Sequence, residues 1–345
     1  MIEAFLSAGM ALPAMFVAFG LLIGILFGFF GMGGSFLVTP ALLVMGYPSR
    51  VAVGSGLAFV FGTAVIATLK HRDLGQVDYK LGVSMIVGTT IGIEVGKEMV
   101  VYLEELGLAG SVISVIYVGL LGGIGLFVSY EALKGRGGGV DHDAADAEVD
   151  PDDIPDIAKK IQSYRLPPML TLRGGVQVSL WMILAVAFAT GLLSGLLGVG
   201  GGFIRMPALF YLIGVPVPIA VGTDLFEIVF SGGIGSLLYA QLGAVNLNIV
   251  VPLLAGSALG ARVGSAATSL VDEEGIKIYF GLMLLGGAVA VAIQEAGKYF
   301  QLPWAQEISL LLIVASAVMV AGAVVVSSIR AIQARDNGTA TTVAD

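Results

Sequence analysis

A few charged side chains stand inside otherwise apolar segments of this sequence. Arg205 closely follows the stretch "GVGGG", and Asp224 and Glu227 lie in the next apolar segment, three residues apart. A guanidinium can pair bidentately with an oxyanion, and ionisable groups in apolar segments often serve proton relays. We predict that Arg205 binds an anion and that Asp224, Glu227 or Glu94 couples this binding to an ion. In the alternative, Arg205 or Arg262 forms purely structural ion pairs with these carboxylates.

Two glycine-rich stretches must position these charges. They are "GFFGMGGSF" from Gly28 to Phe36 and "GLLGVGGGF" from Gly195 to Phe203. Consecutive glycines weaken a helix, so each stretch predicts a break. The apolar segment after each break has about 10–12 residues, which is about 15–18 Å of helix. That length is too short to cross a hydrocarbon core of about 30 Å.

Paired broken helices are typical of secondary transporters, in which they line the substrate site. A helix start offers free amides and a positive dipole to an anion, and neighbouring hydroxyls can add donors. The alternative for any of these glycines is close helix packing, which we predict for the glycines spaced by four in two later segments. The predicted substrate-binding residues are Arg205 and Gly31, Gly33, Gly34, Ser35, Ser55, Gly198, Gly200, Gly201, Gly202 and Thr223. The predicted packing residues are Gly88, Gly92, Gly96, Gly256, Gly260 and Gly264.

The composition is typical of a membrane protein. Of the 345 residues, 57% are hydrophobic and 12% charged, whereas about 25% charge is usual in soluble proteins. Long apolar runs predict an all-α polytopic membrane protein and disfavour an outer-membrane β-barrel. The chain has no cysteine and only two histidines, far apart, which excludes thiolate chemistry and disfavours a metal site. Without a visible catalytic motif or phosphate-binding loop, we predict neither an enzyme nor a cofactor.

The sequence also contains an internal duplication. The residues around the first glycine stretch match those around the second at a fixed offset, and the match resumes after a one-residue insertion. Matching pairs include Gly31 with Gly198, Gly54 with Gly222, Gly75 with Gly243 and Gly96 with Gly264. The predicted organisation is a first transmembrane repeat (1–133), an acidic cytoplasmic linker (134–177), a second transmembrane repeat (178–297), an appended helix (298–330) and a disordered tail (331–345).

The charges of equivalent loops predict how the two repeats are oriented. One loop holds Lys70, Arg72 and Lys80, whereas its counterpart around Gly243 holds no Lys or Arg. Basic residues collect on cytoplasmic loops, so we predict inverted repeats, with the linker and the C-terminus in the cytoplasm. Inversion needs five passes per repeat, counting the short segment after each break. If those segments are re-entrant hairpins instead, the repeats are parallel.

The doubled motif resembles that of a known family. "GFFGMGGSFLVTPALL" with "VAVGSGL", repeated as "GLLGVGGGFIRMPALF" with "AVGTDL", is similar to the sulfite exporter TauE/SafE family of membrane transporters. The resemblance implies a secondary transporter in the cytoplasmic membrane that moves small sulfur-containing anions, such as sulfite or sulfoacetate, coupled to an ion gradient. The motif positions that carry over are Gly31, Gly33, Gly34 and Pro40, with Gly198, Gly200, Gly201 and Pro207.

The expected partners are a small anionic substrate and the lipid bilayer. We expect no nucleic acid, and a homodimer is left open. Two other functions also stay open: an anion channel built on the same glycine-broken helices, and a transporter of another small anion such as a carboxylate.

Overall fold

The structure is a computed structural model that describes residues 2–30, 35–73, 75–134, 166–172, 175–267, 270 and 273–342. Within these ranges the chain is helical apart from one short β-hairpin. The first helices are α1 (Ile2–Phe30), α2 (Ser35–Val44), α3 (Ser49–Asp73), α4 (Tyr79–Glu105) and α5 (Ala109–Lys134). The hairpin β1 (Met169–Thr171) and β2 (Gln177–Ser179) follows, and then α6 (Leu180–Leu197), α7 (Gly202–Ala208) and a π-helical turn (Leu209–Ile213). The last helices are α8 (Val217–Gln241), α9 (Leu247–Ala267), α10 (Glu273–Phe300) and α11 (Ala305–Thr342).

Eight of the described helices are long and apolar enough to cross a membrane, namely α1, α3, α5, α6, α8, α9, α10 and α11. Helix α4 has 27 residues, but Glu94, Lys97 and Glu98 interrupt its apolar sequence. The two short helices, α2 with 10 residues and α7 with 7, follow the two glycine stretches. The predicted all-α polytopic membrane protein is therefore confirmed.

The chain divides into two compact units, and each draws helices from both sequence repeats. The first unit comprises Met1–Gly31, Ser114–Gly139 and Val251–Asp345, and the second comprises Met32–Ile113 and Val140–Val250. The compact units and the sequence repeats thus divide the chain at different places.

Each unit contains a pair of parallel helices packed through glycines. In the second unit, a Cβ added at Gly92 of α4 would overlap the backbone of Phe188 in α6. In the first unit, a Cβ added at Gly260 of α9 would overlap the backbone of Leu21 in α1. The fourth helix of one repeat therefore packs on the first helix of the other, and the prediction of close packing is confirmed. The same backbone contact with the partner helix is made by Gly88, Gly96, Gly256 and Gly264.

Equivalent helices of the two repeats run antiparallel to each other. In the second unit, Leu57 of α3 lies beside Gly235 of α8, and Phe61 lies beside Gly232. Residue numbers rise along one helix as they fall along the other. In the first unit, helices α5 and α10 behave in the same way. There Gly122 lies opposite Ala288, Gly125 opposite Leu284 and Ser129 opposite Gly281. Parallel repeats would place equivalent helices in the same direction, so this packing supports the predicted inversion.

The hairpin anchors the helices around the second glycine stretch. Its strands pair Leu170 with Val178 in antiparallel register. Leu172 and Val178 are buried in an apolar cluster with Leu81 of α4 and Leu209 of the π-helical turn. The hairpin lies in the last part of the predicted linker, whose residues 135–165 are outside the described ranges. At the other end of the chain, α11 continues past the predicted end of its span as far as Thr342.

Candidate functional site

The second glycine stretch interrupts the helix, as predicted. Helix α6 ends at Leu197, where Gly198 has a φ of 74° and its N–H donates to the carbonyl of Ser194 at 2.7 Å. Gly200 and Gly201 also have positive φ values, 68° and 89°. Only glycine adopts this region without strain, so the three residues turn the chain sharply before α7 begins. Of the first stretch, Gly31, Gly33 and Gly34 and the side chain of Ser35 lie outside the described structure.

The short segment after the break is itself irregular. The amides of Ile204 and Arg205 donate to the carbonyl of Gly201, at 3.0 and 2.6 Å, and start α7. Pro207 has no N–H to donate to the preceding turn, and the π-helical turn follows directly. The segment ends at Gly214, whose φ is 80°. The predicted half-helix is thus two short pieces, and Arg205 lies in the first.

Arg205 is fully buried and is bonded to side chains from two other helices. Its Nη1 donates to Oδ1 of Asp224 at 3.0 Å and also to Oε2 of Glu227, and its Nε donates to the hydroxyl of Thr190 at 3.4 Å. The hydroxyl of Ser231 donates to the same Oε2 at 3.0 Å. These five residues, which we call the Arg205 cluster, all lie in the second unit. The structure therefore brings together Arg205, Asp224 and Glu227, as the structural alternative also predicted.

The cluster contains buried polar atoms that have no partner among the described residues. They are Nη2 of Arg205 and Oε1 of Glu227. Nη2 faces Gly201, because a Cβ added there would overlap it. Unpartnered buried polar groups are rare and costly, so these atoms are candidates for contact with a ligand. A guanidinium nitrogen is suited to an oxyanion.

The positive and negative charges of the cluster do not balance when all of its ionisable groups are charged. Arg205 contributes one positive charge, and ionised Asp224 and Glu227 would contribute two negative charges. All three are at most 2% exposed. Burial of an uncompensated charge is strongly unfavourable, so this arrangement favours uptake of a positive charge. Among the described residues, no group of three His, Asp or Glu side chains could hold a metal ion.

Ser55 and Thr223 occupy equivalent positions in the two repeats, and neither hydroxyl takes part in the hydrogen bonds of the cluster. The Oγ of Ser55 accepts the backbone N–H of Asn246 at 3.1 Å. The Oγ1 of Thr223 accepts the backbone N–H of Asp78 at 2.9 Å. Each hydroxyl thus holds the start of the fourth helix of the other repeat. Their predicted contact with substrate stays a prediction.

Glu94 is placed apart from the cluster's bonding network. Its Oε1 accepts a hydrogen bond from Nζ of Lys97 at 2.7 Å, and its side chain is 46% exposed. Lys97 also pairs with Glu98 at 3.0 Å. Arg262 is exposed on α9. Glu94 therefore forms a local ion pair, and its role in ion coupling stays a prediction.

Sequence reasoning missed the three hydroxyl residues of this region. Thr190 and Ser194 lie four residues apart on α6, and Ser231 lies four residues after Glu227 on α8. The duplication carried a signal that could have found the α6 pair. The first repeat has Ile23 opposite Thr190, Phe27 opposite Ser194, Val38 opposite Arg205, Gly56 opposite Asp224 and Phe59 opposite Glu227. A polar residue that replaces an apolar one at an equivalent buried position marks the specialised repeat.

Comparison with known proteins agrees with this architecture. The model of the family described as "Sulfite exporter TauE/SafE" matches residues 16–292. The "Probable membrane transporter protein YunE" of Bacillus subtilis (strain 168) is 26% identical over 277 residues, which cover 78% of this chain and 93% of that protein. A "Probable membrane transporter protein" of Xylella fastidiosa (strain Temecula1 / ATCC 700964) is 27% identical over 276 residues, covering 79% and 92%.

A similar protein also occurs in Methanocaldococcus jannaschii. The "Probable membrane transporter protein MJ0441" of Methanocaldococcus jannaschii is 27% identical over 272 residues, covering 73% of this chain and 86% of that protein. No solved structure matches the chain significantly. The family match spans both glycine stretches and the Arg205 cluster. The chain therefore belongs to the sulfite exporter TauE/SafE family.

Proposed function

We propose that the protein is a secondary transporter of small sulfur-containing anions, such as sulfite, sulfoacetate or related organosulfonates, in the cytoplasmic membrane. The chain is a multi-pass membrane protein of the TauE/SafE family, and its relatives carry the name "probable membrane transporter protein". The doubled, inverted architecture is the recurrent plan of secondary transporters. It supports alternating access, in which parts of the protein rock around a substrate site.

The observation that carries the proposal is the burial of Arg205 beside a broken helix. Intramembrane arginines are rare and usually functional because their burial is costly. One guanidinium nitrogen, Nη1, is bonded to carboxylates, while Nη2 lies against Gly201 with no partner among the described residues. An oxyanion bound at Nη2 would receive a charge-assisted hydrogen bond. The glycines of the break let the backbone approach the same anion.

Ion coupling follows from the carboxylates that share the guanidinium. Asp224 and Glu227 compete with a bound anion for the charge of Arg205. Protonation of a carboxylate would weaken its hold on Arg205 and favour anion binding, so a proton gradient could drive transport. Glu94 is the weaker candidate because Lys97 already neutralises it.

A transport assay tests the proposal. Purified protein is first screened by thermal shift against sulfite, thiosulfate, sulfate, sulfoacetate, taurine and simple carboxylates, because a ligand that binds the folded state raises its stability. Proteoliposomes then measure uptake of the stabilising anions by the wild-type protein. We expect saturable uptake and counterflow exchange for sulfur oxyanions.

Other outcomes separate the alternatives. Unsaturable flux without counterflow would indicate an anion channel. Stabilisation and uptake by carboxylates alone would assign another class of substrate. If no anion stabilises the protein and none crosses the vesicle membrane, the transporter proposal is wrong.

A further inference from the structure

We propose that Glu227 holds a proton whenever the anion site is empty, and that Asp224 takes up a second proton for each monoanion bound. This inference rests on the proposed function, in which Arg205 binds the anion. It adds which carboxyl carries which proton and how many protons accompany one anion.

The first step is the charge count of the empty cluster. Arg205, Asp224 and Glu227 sum to one excess negative charge when all three are ionised, and their exposed fractions are 0, 2 and 0%. A lone buried charge is much costlier than a neutral group. One bound proton makes the cluster neutral.

The second step is the surroundings of the cluster. Helix α6 carries no charged residue, and the single charge on α7 is Arg205 itself. Helix α3 carries charged residues only at its ends, Arg50 at the start and residues 70–73 at the finish. On α4, the Asp78 carboxylate accepts the amides of Lys80 and Leu81, and Lys97 is bonded to Glu94 and Glu98. Among the described residues, therefore, the elements packed against α8 supply no second cationic side chain that is bonded to the cluster.

The third step identifies the protonated carboxyl. Oε2 of Glu227 accepts hydrogen bonds from Arg205 and Ser231, whereas its Oε1 is buried without a partner. An anionic oxygen in that position would lose its hydration with no compensating bond. A neutral carboxyl with its proton on Oε1 avoids most of that penalty. Nη1 of Arg205 donates to both carboxyls, but no side-chain oxygen of Asp224 is both buried and unpartnered, so Asp224 is the carboxyl left ionised.

The fourth step adds the anion. The empty cluster is neutral, with positive Arg205, negative Asp224 and neutral Glu227. A monoanion at Nη2 adds one negative charge, and a proton taken up from solvent by Asp224 restores neutrality. The bond from Nη1 to Asp224 weakens as the anion binds. One proton therefore moves with each monoanion, and the transport cycle is electroneutral.

Infrared spectroscopy of the reconstituted protein, without substrate, tests this assignment. At neutral pH we expect the C=O absorption of one protonated buried carboxyl in the wild type. It should vanish in Glu227→Gln, and also in Asp224→Asn, where an ionised Glu227 balances Arg205 by itself. Glutamate labelled with 13C at its side-chain carboxyl should shift the wild-type band, and aspartate labelled in the same way should not. Glu94→Gln is the matched control, and its spectrum should keep the band. On acidification, a second buried-carboxyl band should appear in the wild type, and the labelled aspartate should shift that band.

Several results would overturn the inference. One is a wild-type spectrum with no such band at neutral pH, which needs no variant to fold. Another is a wild-type band at neutral pH that shifts with the labelled aspartate and not with the labelled glutamate. A band that sodium ions abolish would assign the charge to a metal cation instead of a proton. Uptake of radiolabelled sulfite separates the two proposals: uptake without the band refutes only this inference, and the band without any anion uptake refutes the transporter function.

Discussion

Removal of the Arg205 guanidinium should destabilise the protein because it leaves two carboxyl groups buried without their cation. Breaking a buried ion pair by removing one partner costs about 3–5 kcal/mol. In a protein of this size, a loss of that magnitude lowers the apparent melting temperature by on the order of 10 °C. Arg205→Ala should therefore melt well below the wild type. Arg262→Ala, which removes an exposed arginine, should change stability by less than about 0.5 kcal/mol.

The cause of that loss can be separated from lost packing. In the triple variant Arg205→Met, Asp224→Asn, Glu227→Gln, the cluster keeps a similar volume and carries no charge. Removal of all members of a buried ionic group is often neutral for stability, so the triple variant should recover most of the lost melting temperature. Differential scanning fluorimetry in detergent measures both effects. A wild-type melting temperature for Arg205→Ala, or a triple variant as unstable as that single variant, would refute the reasoning.

Three further outcomes follow from the packing of the helices. Gly92→Val should lower the free energy of unfolding by about 1–3 kcal/mol because its side chain would overlap the α6 backbone. Gly119 has open space around it, so Gly119→Ala should leave the melting temperature unchanged or higher. Equal effects of the two variants would contradict the packing. Thr223→Val should lower the free energy of unfolding by about 1–3 kcal/mol because a buried N–H at the start of α4 loses its acceptor. Hydrogen exchange at that end of α4 should also become faster. Unchanged exchange would argue against the bond. Single cysteines at positions 75 and 243, in place of Gly75 and Gly243 in a chain without native cysteine, should react with a membrane-impermeant thiol reagent from opposite sides of the membrane; labelling from the same side would refute the inverted topology.

Much of the fold could be predicted because its signals are local and repeated. Long apolar runs predicted the spanning helices, and glycines spaced by four predicted that α4 and α9 pack closely on other helices; the structure identifies those helices as α6 and α1. The break after Leu197 was predictable because Gly198, Gly200 and Gly201 follow one another closely, and all three have positive φ values. The inversion of the repeats is a prediction from loop charges, and the antiparallel packing of α3 beside α8 supports it.

Other features depend on contacts that no local pattern specifies. The hairpin between β1 and β2 has short strands and gains its stability from burial of Leu172 and Val178 against distant helices. Each compact unit contains helices from both repeats, and this mixing likewise becomes visible only in the tertiary structure. In the cluster, sequence indicated Arg205 and Glu227 as intramembrane charges. Their hydroxyl partner Thr190 is an ordinary residue of an apolar helix until the fold brings it beside the guanidinium.

Anion exchange in proteoliposomes tests the central claim, that Arg205 binds the transported anion, most directly. The measurement is counterflow of radiolabelled sulfite with no imposed gradient, so that ion coupling is not required. The double variant Asp224→Asn, Glu227→Gln retains Arg205 and should still exchange sulfite. The triple variant that also carries Arg205→Met buries no unpaired charge, so it should be at least as stable as the double variant, and it should lose exchange. Equal exchange by the double and triple variants would contradict the account.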